Sequence, residues 1–565
     1  MEKGAPWLKN YGDVPFNLEY PDRTMAELVI ETAKEMPTAT ALSFMGRGIS
    51  YKRLEKDVRL TANAFAKFGV KKGDRVAICL PNLPQTVYCL YAVNLLGAVA
   101  CMIHPLSAEG EIVSMLKEAD CRFAVALDQF AGKFKSALSH IPHLSLLVTS
   151  AADGLGFIKS TVFKFTKGRK YKKNVPASAT LWKAFVKRRI NVPCEIQPVG
   201  TASDVAVILF SGGTTGVTKA IMLSNLNFNA LALQTAAMCG RPIRNKIMLA
   251  AMPMFHGFGL GVCIHTMMVA GGTSVLVPKF NPKEYADLIK KNRPNYIAGV
   301  PTLFEAITRI ESLNGVRLDC LMGVFSGGDS LSVELKKKMD AFLAEHGADV
   351  KIREGYGTTE CVTASCLTPL HTEREGSIGY PYPDTYYKIC AVGTTDEAPY
   401  GTEGEICLRG PSVMLGYIGH EEENAAALRT HSDGKIWLHT GDLGYMDEEG
   451  FIYFRQRIKR MIISSGYNIY PSQLENVIDA HPSVQMSCVI GVKDPYKMQK
   501  VKAFVVLKKG ITPNEALKSE LVEYCRKHIA RYAMPYDIEF REELPKTGVG
   551  KIAYTVLEEE ENAKQ

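Results

Sequence analysis

The chain has 565 residues, 46% apolar and 22% charged, with a mean hydropathy of −0.03. That length exceeds one compact core and predicts two to four domains or subdomains, and the balance excludes a disordered, fibrous or polytopic membrane protein. The formal net charge of +8 is local: eleven Lys/Arg and no acid lie between Asp153 and Glu195, so the rest of the chain is slightly acidic and no general polyanion-binding surface is expected.

Fourteen cysteines form no C-x-x-C pair, the nearest two being Cys361 and Cys366, so neither a disulfide framework nor a zinc spacing is visible. Met1-Glu2-Lys3-Gly4 leads into polar sequence without a signal-peptide pattern, and the expected location is a reducing cytoplasm. Two stretches lack charge, Val76 up to Glu109 and Met254–Val277. A membrane span needs about 20 mostly apolar residues. Pro81 and Pro84 break the first stretch, and glycines with His256 and His265 break the second, so both read as buried strand–helix units.

In chain order, Met25–Lys34 and Tyr51–Phe68 have the periodicity of amphipathic helices. Gly73-Asp74 turns into a strand at Arg75–Leu80. Helix Gln85–Leu96, strand Ala98–Ile103, helix Gly110–Glu118 and strands Arg122–Ala126 and Leu144–Val148 follow. This alternation predicts a parallel, doubly wound α/β sheet. Residues 151–190 interrupt it. Between 157 and 174, Phe157, Ile158, Val162, Phe163, Phe165 and Tyr171 interleave with seven basic residues. Such a segment either lies on an anionic bilayer surface or is a solvated insertion. No nucleic-acid recognition motif accompanies the charge.

The apolar run Val205–Phe210 predicts a buried strand. It ends in Ser211-Gly212-Gly213-Thr214-Thr215-Gly216-Val217-Thr218-Lys219. Glycines let a backbone approach an anion, hydroxyls donate to it, and Lys219 adds a full charge, so the turn reads either as a polyphosphate cradle or as an ordinary Gly-rich loop between a strand and a helix. It is not a Walker loop, because Ala220 follows the lysine. Met248–Met254 reads as a strand running into Pro253-Met254-Phe255-His256-Gly257-Phe258-Gly259, where His256 is either a core histidine or the wall of a substrate site. Strands Thr273–Val277 and Tyr296–Val300 alternate with helices Pro282–Asn292 and Pro301–Leu313. Strand Leu321–Phe325 runs into Ser326-Gly327-Gly328-Asp329, helix Val333–His346 follows, and Val350–Glu354 leads into Gly355-Tyr356-Gly357-Thr358-Thr359-Glu360. Small residues at strand ends mark where open α/β sheets place ligands.

From Gly379 strands and turns dominate, and residues 380–456 read as a β-rich subdomain with Thr440-Gly441-Asp442 in a turn. Arg457-Ile458-Lys459-Arg460 is a short charged linker. Residues 461–565 read as a small α+β domain ending in Pro545-Lys546-Thr547-Gly548-Val549-Gly550-Lys551. Residues 1–456, with the insertion at about 151–190, form the expected large domain.

Taken together and in order, these loops, with 404–417, 437–444 and 465–471, resemble the adenylate-forming acyl-CoA synthetases, the superfamily of fatty-acid and coumarate CoA ligases, luciferase and peptide-synthetase adenylation domains. The resemblance runs from about Thr24 to about Lys551. It implies an ATP-dependent ligase: a carboxylate attacks the α-phosphate of ATP to give an acyl-adenylate and pyrophosphate, then coenzyme A takes the acyl group and AMP leaves. It implies that Ser211, Gly212, Gly213, Thr214, Thr215, Gly216 and Lys219 hold the β- and γ-phosphates. By the same resemblance Tyr356 is expected to stack on adenine beside Gly328 and Gly355, with Thr358 and Thr359 near the α-phosphate and Gly357 in the same nucleotide site. The resemblance also implies that Glu360 ligates Mg2+, that Asp442 takes the ribose hydroxyls beside Arg457, and that Lys551 bridges carboxylate and α-phosphate. It puts His256 at the wall between acyl pocket and thiol channel, and Lys459 at the hinge of a mobile C-terminal domain expected to present Ser465, Gly466 and Tyr467 to CoA.

Three positions depart from the family pattern: Thr218-Lys219-Ala220 replaces Pro-Lys-Gly, Tyr554 stands for an arginine, and Ile463 for a lysine. The double glycine and the basic insertion are similar to fatty-acyl ligases that work at a membrane, and Gly257, Gly259, Gly261 and Gly323 are expected to leave room for an alkyl chain. An aryl or steroid-type acid, transfer to a carrier protein, or non-catalytic binding remain open on the same scaffold. The sequence carries no sign of oligomeric state.

Overall fold

Short apolar runs punctuated by glycine, proline and asparagine set the strands, which assemble into four sheets. The structure is a computed structural model that describes residues 5–156, 160–161, 171, 173–187, 196–211, 218–465, 467–547 and 551–564. The first sheet has nine strands in the order Tyr380–Pro381, Cys366–Leu367, Ile352–Tyr356, Gly323–Gly327, Tyr296–Gly299, Ile247–Ala250, Thr273–Leu276, Thr40–Phe44 and Arg47–Ser50. Its central strands run parallel and its edges antiparallel. The second has eight: Gly416–Tyr417, Lys219–Ser224, Val205–Ser211, Val99–Met102, Arg75–Cys79, Phe123–Leu127, Ser145–Thr149 and Thr180–Leu181.

Helices fill the space between these two sheets. Every residue of helix Pro84–Leu95 is buried, as a helix covered on all sides requires. It packs on the second sheet, while helix Tyr51–Phe68 beside it reaches the first. Asn225 ties the layers together: its carbonyl oxygen accepts from the Asn94 amide at 2.7 Å and from the Met25 N–H at 3.0 Å. Helix Met25–Glu35 starts there on a reciprocal Thr24–Glu27 capping box. The two charge-poor stretches are thus interior elements, and among the described residues no helix is long and apolar enough to cross a membrane.

Three local expectations are corrected. A hairpin, Thr40–Phe44 with Arg47–Ser50, precedes the first expected strand. Its two-residue turn puts Met45 at φ +48° and Gly46 at φ +85°, and methionine is an unusual residue for a turn of that hand. The strand at Met248 ends at Ala250, so Pro253–Gly257 is free to turn. The Gly-rich loop leads from Val205–Ser211 into an antiparallel return strand, Lys219–Ser224, with Ser211 opposite Lys219; helix Asn225–Cys239 starts only after it, capped by Ser224.

The third sheet, Tyr386–Cys390, Gly404–Arg409, Ile436–Met446 and Leu428–Thr430 with Ile452–Arg457 beside it, is all antiparallel. The fourth lies in the small C-terminal domain. A long hairpin, Val484–Asp494 with Met498–Leu507, carries Ile462–Ser464, Tyr467–Ile469 and a parallel edge strand Asp537–Arg541. Helices Pro471–Asp479 and Glu515–His528 cover one face of it, with Leu474, Ile478, Leu517 and Leu521 inside. The chain therefore has the mixed α/β architecture expected, a large N-terminal domain followed by a small one.

Candidate active site

The site forms where strand ends of the first sheet meet the third sheet and the small domain. Thr440-Gly441-Asp442 does not sit in a turn; it is a bulge inside the continuous strand Ile436–Met446. Glu405 pairs with Leu443 and Cys407 with His439, so Ile406 alone faces residues 440–442. The Thr440 hydroxyl replaces lost ladder bonds, donating to Ile406 O at 2.7 Å and accepting from Asp442 N–H at 3.1 Å. Bulges re-aim side chains, and this one turns Asp442 into the cleft. Its Oδ2 accepts from the Tyr356 hydroxyl at 2.7 Å, and Oδ1 lies 3.4 Å from Arg457 Nε with no hydrogen-bond partner. Burial raises the Asp442 carboxyl above the aspartate range, against the lowering pull of Arg457 and Tyr356.

Glu360 follows the next strand end. Its Oε1 accepts from the Tyr417 hydroxyl at 2.9 Å. The Tyr417 ring sits under the Lys219 ammonium, 5.0 Å from the centroid, and Lys219 also pairs with Glu423 at 3.4 Å. Beyond Glu360 the chain reverses through Val362 at φ +66°, ψ −53°, with Thr363 N–H donating to Cys361 O at 2.8 Å. This γ-turn costs a β-branched residue about 1–3 kcal/mol. It thrusts the Val362 carbonyl against the His256 loop, where a Cβ on Gly257 would lie 1.6 Å from that oxygen. His256 Nδ1 accepts from Phe258 N–H at 3.2 Å. Burial first, then Lys551, pushes its pKa down to about 3, so the ring is neutral.

Lys551 comes from the small domain. Thr547 N–H donates to Lys551 O at 2.7 Å and Lys551 N–H to the Thr547 hydroxyl at 3.2 Å, so these two residues are bonded to each other. The side chain crosses to the large domain: its Cε is 3.6 Å from where a Cβ on Gly328 would sit, and Gly328 has φ +83°. Burial lowers the Lys551 pKa, opposed by Asp329. Gly328, Gly355, Tyr356, Gly357, Asp442, Arg457 and Lys551 all line one cleft of about 1130 Å³ between the domains. Asp329, Phe454 and Gln456 line it too. No sequence pattern points to these three. Gln456 is 1% exposed, and neither of its amide atoms has a hydrogen-bond partner. Tyr417 stood inside a quoted motif, and only the third dimension put it on Glu360.

A narrow apolar tunnel of about 40 Å³ opens from the cleft at Gly328 and Gly355. Phe258, Val262, Thr266 and Met267 line it from the π-helical segment Phe258–Thr266 and its continuation, facing Thr235, Cys239, Met248, Tyr296 and Phe325. The glycines expected to widen an alkyl site do something else. A Cβ on Gly259 would lie 2.2 Å from Pro253 O, on Gly261 2.5 Å from Leu231 Cδ2, and on Gly323 2.7 Å from the Phe325 ring. With Gly257, they are close-packing positions and leave no free wall; Gly327, Gly328 and Gly355 line the tunnel instead.

Gly212, Gly213, Thr214, Thr215, Gly216 and Gly466 lie outside the described residues, as does most of 157–174. Ser211 ends its strand opposite Lys219. Thr358 caps the turn Thr359–Cys361, its N–H on Cys361 Sγ at 3.3 Å, and neither Thr358 nor Thr359 lines the cleft. Lys459 lies in the helical turn Ile458–Arg460. Next to it, Arg460 pairs with Glu475 and stacks on Tyr554, 4.9 Å from the ring centroid. Ser465, at φ +51°, and Tyr467, stacked on Tyr532 at 4.6 Å, belong to the small domain's hairpin and are away from the cleft.

A model of the family described as AMP-binding enzyme matches residues 29–418, and one described as AMP-binding enzyme C-terminal domain matches 473–551. A long-chain-fatty-acid–CoA ligase of Bacillus subtilis is 36% identical over 572 residues, 99% of either chain. One of Escherichia coli O157:H7 is 31% identical, covering 99% of this chain and 98% of that one. Among solved structures, ATP-bound MatB from Rhodopseudomonas palustris superposes with a TM-score of 0.81 at 25% identity, over 95% of this chain and 98% of that one. The anthranilate CoA ligase AuaEII with anthranoyl-AMP superposes with a TM-score of 0.83 at 22% identity, over 98% and 100%. The ordered strand-end loops, the cleft they share with Lys551 and a relative of this identity over its whole length agree: the chain belongs to the AMP-binding enzyme family.

Proposed function

We propose that the chain is an acid–thiol ligase that converts a medium- or long-chain fatty acid to its CoA thioester through an acyl-adenylate. The observation that carries this reading is Lys551 poised over Gly328, where the polar cleft meets the apolar tunnel. The tunnel's apolar lining suits an alkyl chain whose carboxylate emerges beside the lysine, and at about 40 Å³ it must widen to take a medium or long chain. In the first step a carboxylate oxygen bonds to the α-phosphorus of ATP, and pyrophosphate leaves with the bridging electrons. Two anions must meet, so fixed positive charge at the point of approach lowers the barrier. Lys551 supplies it there, with Lys219 and the 211–219 loop on the leaving pyrophosphate. Tyr356 packs on the adenine, Asp442 accepts from the ribose hydroxyls, and Gln456 offers an amide to the same nucleotide. Glu360 suits Mg2+: a single carboxylate, oriented by Tyr417, is what a cation that keeps its waters and phosphate ligands needs. When bound, that ion neutralises phosphate charge.

In the second step the CoA thiolate attacks the acyl carbonyl and AMP leaves. Lys551 lines the cleft, whereas Ser465 and Tyr467 do not. We therefore read 457–460 as a hinge, with 1–456 as the large domain and 461–565 rotating to withdraw Lys551 and present 465–467. Segment 157–174 is proposed to touch anionic membranes, on the strength of its interleaved basic and apolar residues.

The test is a panel of carboxylic acids from acetate to C18, with aryl and steroid acids, reading AMP release with CoA, with a carrier protein and with neither. CoA-dependent release that peaks among C8–C18 acids is expected. Turnover confined to aryl or steroid acids, or to the carrier protein, would overturn the substrate or acceptor. No release with any acid would overturn the enzyme reading.

A further inference from the structure

Away from the cleft, the third sheet encloses metal-ligating side chains that the proposed reaction does not use. Cys390 ends strand Tyr386–Cys390, Glu405 and Cys407 lie on Gly404–Arg409, His439 lies on Ile436–Met446, and His431 follows Leu428–Thr430. None is more than 6% exposed. Ligand atoms of Cys390, Cys407 and His431 all lie within 4.8 Å of one another, as do those of Glu405, Cys407 and His439.

Hydrogen bonds link these groups. His439 Nδ1 is 2.8 Å from Glu405 Oε2. The two Nε2 atoms of His439 and His431 face each other at 2.9 Å, so one proton is shared between them. His431 Nδ1, on a ring only 4% exposed, has no hydrogen-bond partner. A buried polar atom left unmet is destabilising, and a cation would satisfy it.

We propose that Cys390, Cys407 and His431 form a binding site for a soft divalent cation such as zinc, with the Glu405–His439 pair orienting His431. Two sulfurs and one imidazole are zinc-type donors, and a carboxylate–histidine chain behind a ligating histidine is a recurrent outer arrangement. Cys407 Sγ also lies 3.5 Å from His439 Nδ1, which ties the orienting pair to the cluster, and a water would complete the metal's shell. Binding displaces the two thiol protons to solvent and forms two metal–sulfur bonds, with no change of oxidation state. A disulfide fits less well. Cys390 pairs with Glu405, so Cys407 is its diagonal neighbour, and diagonal Cα atoms are about 7–8 Å apart against the 4.4–6.8 Å that a disulfide spans. The site also has a use. Glu405 Oε1 accepts from Gly441 N–H at 3.0 Å, so the cluster braces the bulge that aims Asp442.

The experiment uses the full chain expressed with added zinc, dialysed and measured for metal, and then the apo-protein titrated with Co2+. About one equivalent of zinc per chain is expected, with a thiolate-to-cobalt charge-transfer band after exchange. Cys390→Ser/Cys407→Ser is expected to lose both, while Cys320→Ser, outside the cluster, keeps them. A folded wild-type chain with neither zinc nor the cobalt band, or a double variant with unchanged metal content, overturns the proposal. If the double variant does not fold, His431→Gln takes its place, with loss of the cobalt band expected and an unchanged band overturning the site. None of these readouts depends on ligase activity.

Discussion

Asp442→Asn separates a nucleotide-binding role from a structural one. In the wild type Oδ2 is taken by the Tyr356 hydroxyl, whereas Oδ1 is buried with no hydrogen-bond partner, 3.4 Å from Arg457 Nε. Asparagine keeps the shape and can still accept from Tyr356 through its carbonyl. It then turns an NH2 group, not an anion, toward ribose hydroxyls that need an acceptor. A hydrogen bond to a charged group is worth about 1.5–3 kcal/mol, so the KM for ATP should rise about 10- to 150-fold. The KM for the acid should barely move. Burial destabilises the carboxylate, so the variant should melt no lower than the wild type. The assay is acid-dependent AMP release with ATP varied and CoA saturating, run beside thermal melts. Because the wild-type carboxyl must ionise and its pKa is raised, the KM for ATP should climb as pH falls through a limb above the ordinary aspartate range near 3.9, and Asp442→Asn should lack that limb. An unchanged KM for ATP with a lowered melting temperature would show that Asp442 only braces the bulge, and would refute the nucleotide assignment.

Lys551→Ala should abolish acyl-adenylate formation and spare thioester formation from supplied acyl-AMP; equal loss of both half-reactions would sink the alternating-domain reading. Tyr417→Phe removes the hydroxyl on Glu360 Oε1 and should raise the Mg2+ requirement about 10-fold, the lower end for an outer-shell contact; an unaltered Mg2+ titration would count against Glu360 as ligand. Val262→Trp, in the tunnel wall, should move the preferred acid to shorter chains, and a shift to longer ones would place the alkyl chain elsewhere. Asp479, on the small domain and bonded to Ser487 Oγ at 2.7 Å, has its pKa pushed up to about 8, by burial first and then by Glu475 and Glu305. The folded chain holds this proton up to about pH 8 while the unfolded one loses it near 3.9. Its contribution to stability therefore falls as pH rises across that window. Asp479→Asn should flatten that part of the melting-temperature profile and gain most at pH 8; a parallel profile would refute it.

The strand-end loops were legible because each is a local composition, glycine and hydroxyl residues after an apolar run, and local composition survives in one dimension. The bulge at 440–442 was not, since Thr-Gly-Asp reads as a turn unless one knows that Ile406 alone lies opposite it. Smallness at Gly257, Gly259, Gly261 and Gly323 was also visible, but its purpose was not. The Val362 carbonyl, the Pro253 carbonyl, Leu231 and Phe325 fill the space that an alkyl chain would have needed. Strand Lys219–Ser224 was missed because a helix usually follows such a loop, and its antiparallel return depends on pairing with Val205–Ser211. Cys390, Cys407 and His431 have no metal-site spacing in the chain.

The sequence by itself determined the α/β class, the order of the loops and the chemical types of the groups that would act, because periodicity and turn chemistry are written in neighbouring residues. Only the tertiary structure decided which of those groups meet. Lys551 crosses to Gly328, Tyr417 reaches Glu360, and a bulge turns Asp442 onto Tyr356. Such meetings are set by strand pairing and by packing between segments far apart in the chain, and no local pattern encodes either.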